Sequence, residues 1–368
     1  FYVANRKALD DGAEIAWEAR FNYDEASAVQ HAMNLKLQDE AAFWSEYQNE
    51  PLPSHSGDEE MITIDDVMKK LSGIKRGEVP AECSYVTMHI DIQKKLLFYV
   101  VTAWSDGFSG SVIDYGTYPE QYRRVFTLRD ARPSLQDVMP SLSLEAAVYS
   151  GLDFLANKLC GNEWLRSDGA VMKIGRCVID ANWGFSTDIV YQFCRQSVHS
   201  EILVPGHGRY VGASSLSFAA LPKRPGDKRG LNWYMRKGDK RSIRHIAYDA
   251  NFWKSFVHSR LKVPIGDKGC LTIFGNQPEF HRTFAEHLTA EYFVKTQGRG
   301  RTVDEWKLRP EASDNHWFDG LTGCAVGASM LGVTLPEIGE AGFRRKREQI
   351  WLSELQRQRW AEKAKQGL

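Results

Sequence analysis

The sequence has no C-x-x-C pair and no cluster of cysteine with histidine. Its six cysteines, Cys83, Cys160, Cys177, Cys194, Cys270 and Cys324, are scattered. That argues against a structural zinc site or a disulfide framework, and points to a reducing compartment. No apolar run is long enough to span a membrane and no signal peptide opens the chain, so no membrane partner is expected. Net charge is also missing: 47 basic side chains balance 47 acidic ones. Bulk attraction to nucleic acid is thereby excluded, and any electrostatic footprint must come from local clustering. No G-x-x-x-x-G-K-[ST] loop occurs, so ATP hydrolysis is not expected. Internal repeats are absent. The chain starts Phe1-Tyr2-Val3 without a methionine and reads as a fragment or a processed product.

What is present is an ordinary soluble composition, 43% hydrophobic and 26% charged, in a chain of 368 residues. That length suffices for one large or two ordinary domains with a real core. Tyr85–Trp104 organises the rest. Val86, Met88, Ile90 and Ile92 alternate with Thr87, His89, Asp91 and Gln93, the period of a half-buried strand. Asp91 sits mid-pattern, where a carboxylate has lost hydration and needs a partner. His89 shares its face and reads as structural. A second apolar run, Leu96–Trp104, and a third strand, Ser111–Tyr115, follow.

Upstream, a helix begins near Asp24–Ser27 and runs past Leu37, and Glu40–Tyr47 continues it. Pro51–Asp58 has linker composition, and Ile62–Ile74 suits a short helix. Downstream, Leu142–Leu159 has the spacing of an amphipathic helix capped by Ser143. Met172–Asp180 is a strand ending in an acid. Ser186 or Thr187 caps a helix over Asp188–Gln196, with Asp188 as its first-turn acid. Glu201–Val204 is a short strand leading to Gly206-His207-Gly208, with His207 in a loop. Asp249–Leu261 and Pro278–Tyr292 read as helices and Cys270–Phe274 as a strand. Asp314–Leu331 is a Gly/Ala-rich helix that must pack closely on something, with Asp314 equally suited to capping it or binding a ligand. Gly339–Leu368 reads as a charged helical tail.

Three acids share this frame. Asp91 lies on the first strand, Asp180 ends a later one, and Asp319 lies in the last core helix within D-N-H-W-F-D. Magnesium or manganese takes hard oxygen ligands, one or two carboxylates per ion with water and phosphate. Two such ions stabilise the attacking and leaving oxygens of an in-line phosphoryl displacement. A second cluster is basic: Lys223, Arg224, Lys228, Arg229, Arg236, Lys237, Lys240 and Arg241, with Trp233 and Tyr234 interleaved for base stacking. In a neutral chain this local excess favours contact with double-stranded DNA.

Trp17–Phe21 (W-E-A-R-F), Ser27–Lys36 and Ala42–Pro51 resemble the segment joining ATPase and nuclease domains in large terminase subunits of tailed bacteriophages. Val178–Gly184 (V-I-D-A-N-W-G) and Asp314–Leu321 (D-N-H-W-F-D-G-L) are similar to that family's nuclease motifs. The resemblance implies an α/β, ribonuclease H-like mixed sheet flanked by helices. It implies a DNA endonuclease that cuts concatemeric DNA with two magnesium or manganese ions. Asp91, Asp180 and Asp319 would be the metal carboxylates, His316 an auxiliary ligand or acid, and Asp314 a candidate for the same place. It divides the chain into the end of the connecting segment (1–58), the nuclease domain (59–336) and the tail (337–368). Implied partners are the ATPase domain of the same subunit, the small terminase subunit and the portal protein, in the cytoplasm of an infected or lysogenic bacterium. Competing functions are a transposase- or integrase-like strand transferase, which would join DNA ends, and a noncatalytic DNA-binding motor module, which would bind no ions.

Overall fold

The computed structural model describes residues 2–38, 43–48, 61–184, 186–237 and 243–335. It divides into two compact units between Met61 and Ile62. The first unit holds the helices Tyr2–Leu9 and Ala28–Gln38 and a single π turn, Phe43–Tyr47. Ser27 caps the second helix by accepting a bond from the Gln30 amide at 3.2 Å. Among its described residues Val29 and Phe43 are the buried apolar ones. The linker at Pro51–Asp58, Glu40–Ala42 of the expected helical continuation, Lys240, Arg241 and the tail from Gly339 lie outside the described residues, and Phe43–Tyr47 is the π turn.

The second unit is built on strands β1 (Tyr85–Ile92), β2 (Leu97–Trp104), β3 (Gly110–Tyr118), β4 (Trp164–Leu165), β5 (Val171–Met172), β6 (Arg176–Asp180), β7 (Leu203–Arg209), β8 (Lys228–Gly230), β9 (Trp233–Lys237), β10 (Arg244–Asp249), β11 (Leu271–Ile273), β12 (Glu291–Gly298) and β13 (Arg301–Leu308). Nine of them form one mixed sheet in the order β11-β3-β2-β1-β6-β7-β10-β9-β8. The centre, β1-β6-β7-β10, is parallel; β2 and β3 extend it by antiparallel pairing on one side, with β11 parallel to β3 at the edge, and β9 and β8 extend it by antiparallel pairing on the other. A mixed sheet with helices on both faces is the α/β, ribonuclease H-like architecture expected.

Strand alternation sorts side chains onto the two faces. Val86, Met88, Ile90 and Ile92 of β1 and Cys177 and Ile179 of β6 form one core with Leu152, Leu155 and Leu159 of the helix Leu144–Cys160 and Val190 and Phe193 of the helix Thr187–Gln196. Each such side chain contributes about 1.5–3 kcal/mol of transfer free energy when fully buried. The other face carries Thr87, His89 and Asp91, and is covered by the last helix, His316–Leu331. Its glycines make the close approach. A Cβ on Gly323 would lie 1.9 Å from His89 Cδ2, and one on Gly320 would lie 2.7 Å from Val100 Cγ2. Thr87 Oγ1 donates to the Cys324 carbonyl at 2.9 Å, pinning helix to strand.

Several boundaries differ from expectation. The Ile62–Ile74 helix is only Ile64–Met68, closed at its start by a Thr63–Asp66 capping box. Met172–Asp180 is two strands, because the chain leaves the small β4–β5 ladder before β6 joins the sheet. Ser143 caps its helix as expected, accepting from Ala146, whereas Ser186 occupies the N-cap position without a side-chain capping bond. Pro278–Tyr292 breaks into a 3-10 turn and a short helix ending at Leu288, since Tyr292 belongs to β12. Asp314 is not a helix cap. Asn315 holds that position, and the Asp314 carboxylate accepts from the Leu128 amide at 2.6 Å.

Candidate active site

Strand register and helix packing bring the three acids together. Ile90 pairs with Ile179, so Asp91 and Asp180 follow side by side at the ends of parallel strands. Along the covering helix, Gly327 faces Thr87 and Gly323 faces His89. Four helical residues advance about 6 Å while two strand residues advance about 6.6 Å. The next step in that series sets Asp319 against Asp91. The charges agree with this placement. Burial pushes the Asp180 carboxyl up to about 8, and the nearby negative charges of Asp91 and Asp319 add to the shift.

Each acid has a distinct environment. Asp91 is buried at 5% exposure. His316 Nδ1 lies 2.7 Å from its Oδ2, and Gln93 Nε2 donates to the same oxygen at 3.1 Å. Burial opposes ionisation of Asp91, but the bond and charge of His316 outweigh it and leave the carboxyl below its ordinary value. His316 responds in the opposite sense: burial opposes its charge, while Asp91 and then Asp314 and Asp319 raise it. His316 Nε2 is 3.9 Å from Asp314 Oδ1, too far for a hydrogen bond, so that nitrogen is buried and unbonded. The ring packs 4.4 Å from Phe98.

Asp319 is half-exposed, and its Oδ1 accepts from Lys254 Nζ at 2.8 Å. The same ammonium lies 2.5 Å from Glu291 Oε1. Asp180 is held by its own turn, its Oδ1 accepting from the Asn182 amide at 3.2 Å. Asn182 Nδ2 bonds the Gly208 carbonyl at 2.9 Å, and Asn182 Oδ1 is 3.2 Å from His207 Nδ1. His207 Nε2 in turn meets the Tyr191 hydroxyl at 3.0 Å. His207 is therefore a member of strand β7 that ties down the turn after Asp180, and its loop assignment is corrected. Gly206 and Gly208 leave room for Tyr248, whose ring a Cβ on Gly208 would approach to 3.3 Å. Burial and the charges of Asp180, Asp319 and Asp91 all raise the Tyr248 phenol.

Sequence reasoning missed Lys254, Glu291, Gln93 and Tyr248. Lys254 and Glu291 carry no local signal, because a lysine in F-W-K-S-F and a glutamate after T-A read as solvated helix positions. Gln93 was visible as the polar residue next on the Asp91 face.

Among the described residues, no three His, Cys, Asp or Glu side chains are grouped tightly enough to hold an ion by themselves. Magnesium-type ions are usually held by one or two carboxylates, with water and substrate phosphate completing the shell. Adjacent carboxylates with surplus negative charge, and no sulfur donor among them, fit that kind of ion.

The basic segment forms strands β8 and β9 at the sheet edge and the loop before them. One lateral row crosses the sheet from Asp180 through Gly206, Ile246 and Met235 to Lys228. Four strand spacings separate its ends, about 19 Å. Lys223, Arg224, Lys228 and Lys237 are exposed. Arg236 instead bonds Asp227 at 2.9 Å, and Arg229 lies 4.0 Å from the same carboxylate. Trp233 is not available for stacking: it is buried and donates to Ser329 Oγ at 2.9 Å. Tyr234 packs 5.3 Å from Phe218, with Arg236 4.0 Å above its ring.

A family model described as terminase large subunit gpA, endonuclease domain, matches residues 37–338. The chain belongs to that family. The matched span contains Asp91, Asp180, His316 and Asp319, and it starts downstream of Trp17–Phe21. The family makes this an endonuclease domain of a terminase large subunit. A short stretch is also similar to an error-prone DNA polymerase of Cutibacterium acnes, 37% identical over 83 residues, 22% of this chain. The chain spans only 7% of that protein's length, too little to bear on activity. Among the described residues, no helix of this endonuclease domain is long and apolar enough to cross a membrane.

Proposed function

We propose that this domain cuts double-stranded DNA by divalent-ion-dependent phosphodiester hydrolysis at the centre formed by Asp91, Asp180 and Asp319. The observation that carries the reading is the convergence of these acids from two parallel strands and one helix, close enough that the charges of Asp91 and Asp319 add to the burial that pushes the Asp180 carboxyl up to about 8. Bound magnesium or manganese, two ions in the fullest form of the reading, would polarise water and phosphate oxygens there. Asp91 and Asp319 supply carboxylate oxygens, and His316 and Gln93 hold Asp91 in one orientation. The turn fixed by Asn182 and His207 aims Asp180 at the same point. Asp314 keeps the 126–128 loop beside His316 and is a supporting rather than a ligating residue.

DNA would run from this centre along the lateral row toward Lys228, with Lys223, Arg224 and Lys237 contacting phosphates. Residues 1–58 serve as the end of the segment leading from an ATPase domain. The setting is the cytoplasm of the bacterial host.

The test is nicking and linearisation of supercoiled plasmid with magnesium, manganese, or EDTA, using the wild type and Asp180→Asn. Cleavage with either ion, lost in EDTA and in the variant, supports the reading. Undiminished cutting in EDTA removes it. Joined DNA ends among the products would favour strand transfer.

A further inference from the structure

Lys254 sits mid-way along the helix Ala250–Lys262, its side chain 11% exposed. Its ammonium is shared between two carboxylates of unlike surroundings. Glu291 is 4% exposed at the side chain, whereas Asp319 is 38% exposed. Glu291 opens β12 and also accepts a bond from Asn315 Nδ2, directly before the last helix. Burial opposes the lysine's charge, yet Asp319 and Glu291 together hold it above its ordinary value. A buried ion pair is complete with one carboxylate. Here the second acceptor is a member of the acid centre, and the buried Glu291 anchors the ammonium from behind.

Asp319 has like charges beside it and solvent in front. Its carboxylate would rotate away from Asp91 and Asp180 unless something held it. The Lys254 ammonium bonds Oδ1 of Asp319 at 2.8 Å, and a carboxylate gripped by one oxygen can still offer the other to an ion. We propose that Lys254, fixed by Glu291, is the positioning residue that keeps the Asp319 carboxylate turned toward Asp91 and Asp180. The inference rests on the reading of these acids as an ion-binding centre.

The measurement is manganese binding to DNA-free protein, by titration calorimetry or by loss of the free-ion paramagnetic resonance signal. Lys254→Met should weaken binding about 10-fold or more, the range for residues that orient ligands. Lys254→Met alone leaves Glu291 buried without a counter-charge, so Lys254→Met with Glu291→Gln is the folded control, and it should bind equally weakly. Adding Lys254→Met to Asp319→Asn should cause no further loss, because the lysine acts only through Asp319. In plasmid cleavage, kcat should fall while the KM for DNA stays unchanged. Wild-type or tighter manganese affinity in the folded double variant overturns the proposal, as does an additional loss in the Asp319→Asn background. Asp319→Asn with unchanged manganese binding would instead overturn the ion-centre reading on which the proposal stands. The two failures are thereby distinct.

Discussion

The acid centre and the basic edge were both legible as charge clusters, yet the fold treats them in opposite ways. Asp91, Asp180 and Asp319 are widely separated in sequence and meet on one face of the sheet, where burial and the neighbouring charges make ionising Asp180 costly and His316 holds Asp91 ionised. The basic residues are neighbours in sequence, and the fold disperses them. Arg236 and Arg229 turn inward to Asp227, whose side chain is 2% exposed, while Lys223, Lys228 and Lys237 face water. Among the described residues no carboxylate pairs with those three lysines. Charge in a low-dielectric site is costly and therefore specific, whereas exposed charge is screened and interchangeable. The sequence cluster that looked richer has lost two of its described members to structure.

The largest expected effect follows from that contrast. Asp91→Asn, Asp180→Asn and Asp319→Asn should each reduce plasmid cleavage by at least about 100-fold, on the scale of losing a transition-state charge contact. For Asp180→Asn the melting temperature in ion-free buffer should stay level or rise, since burial and like charges already disfavour its ionised form, whereas Asp91→Asn and Asp319→Asn lose the ion pairs with His316 and Lys254 and should lower it. Wild-type cutting by any one of them would remove that residue from the centre.

Next comes the packing that delivers Asp319. Gly323→Ala should destabilise the protein by about 1–3 kcal/mol through overpacking, read in urea unfolding, and should lower cleavage by displacing the helix. Combining it with His89→Ala should return part of the stability, because the added Cβ collides with the His89 ring. Additive losses in the double variant would mean that the helix does not sit as described.

His316→Ala removes the partner of Asp91. Cleavage should fall with either ion. The wild type should cut faster with manganese than with magnesium, because an added imidazole favours the softer ion, and the variant should narrow that difference. Initial rates at matched saturation decide it, and an unchanged ratio would leave His316 as a holder of Asp91 only.

The basic edge should give smaller, graded effects. Lys223→Ala, Lys228→Ala and Lys237→Ala should each reduce the slope of log affinity against log salt by up to about 0.9. Arg236→Ala should change the slope less and stability more, because its charge is spent on buried Asp227. Binding titrations at several salt concentrations separate the two, and an equal slope change for Arg236 would break the contrast drawn above.

The smallest effect lies outside both regions. His281 is buried with its Nδ1 2.9 Å from the Tyr115 hydroxyl. Burial lowers it to about 4 from an ordinary 6.5. The unfolded chain therefore takes up the proton first as pH falls, and the associated stability, present above about 6.5, is lost on the way down toward 4. His281→Phe should flatten stability over that window while leaving cleavage at pH 8 unchanged. A pH dependence identical to wild type would show that His281 is not held neutral.

What the sequence determined by itself was periodic or short-range. The alternation in Val86–Gln93 marked the central strand, and Asp91 stood out because a carboxylate in that pattern demands a partner. The glycines of the last helix announced a close approach. The motifs at Asp180 and Asp319 were readable as residue types suited to oxygen-ligand chemistry. The family resemblance pointed to the endonuclease domain that the match over residues 37–338 shows. What only the tertiary structure decided was who meets whom. Parallel register set Asp180 beside Asp91, and small-residue packing brought Asp319 over them. Lys254 and Glu291 joined the centre from a helix and a hairpin with no local pattern to mark them. Trp233 and Arg236, which looked free for DNA, were drawn inward to Ser329 and Asp227. Local patterns report which face of an element is buried, but a charge's strength and its partner depend on long-range contacts and on the water those contacts exclude.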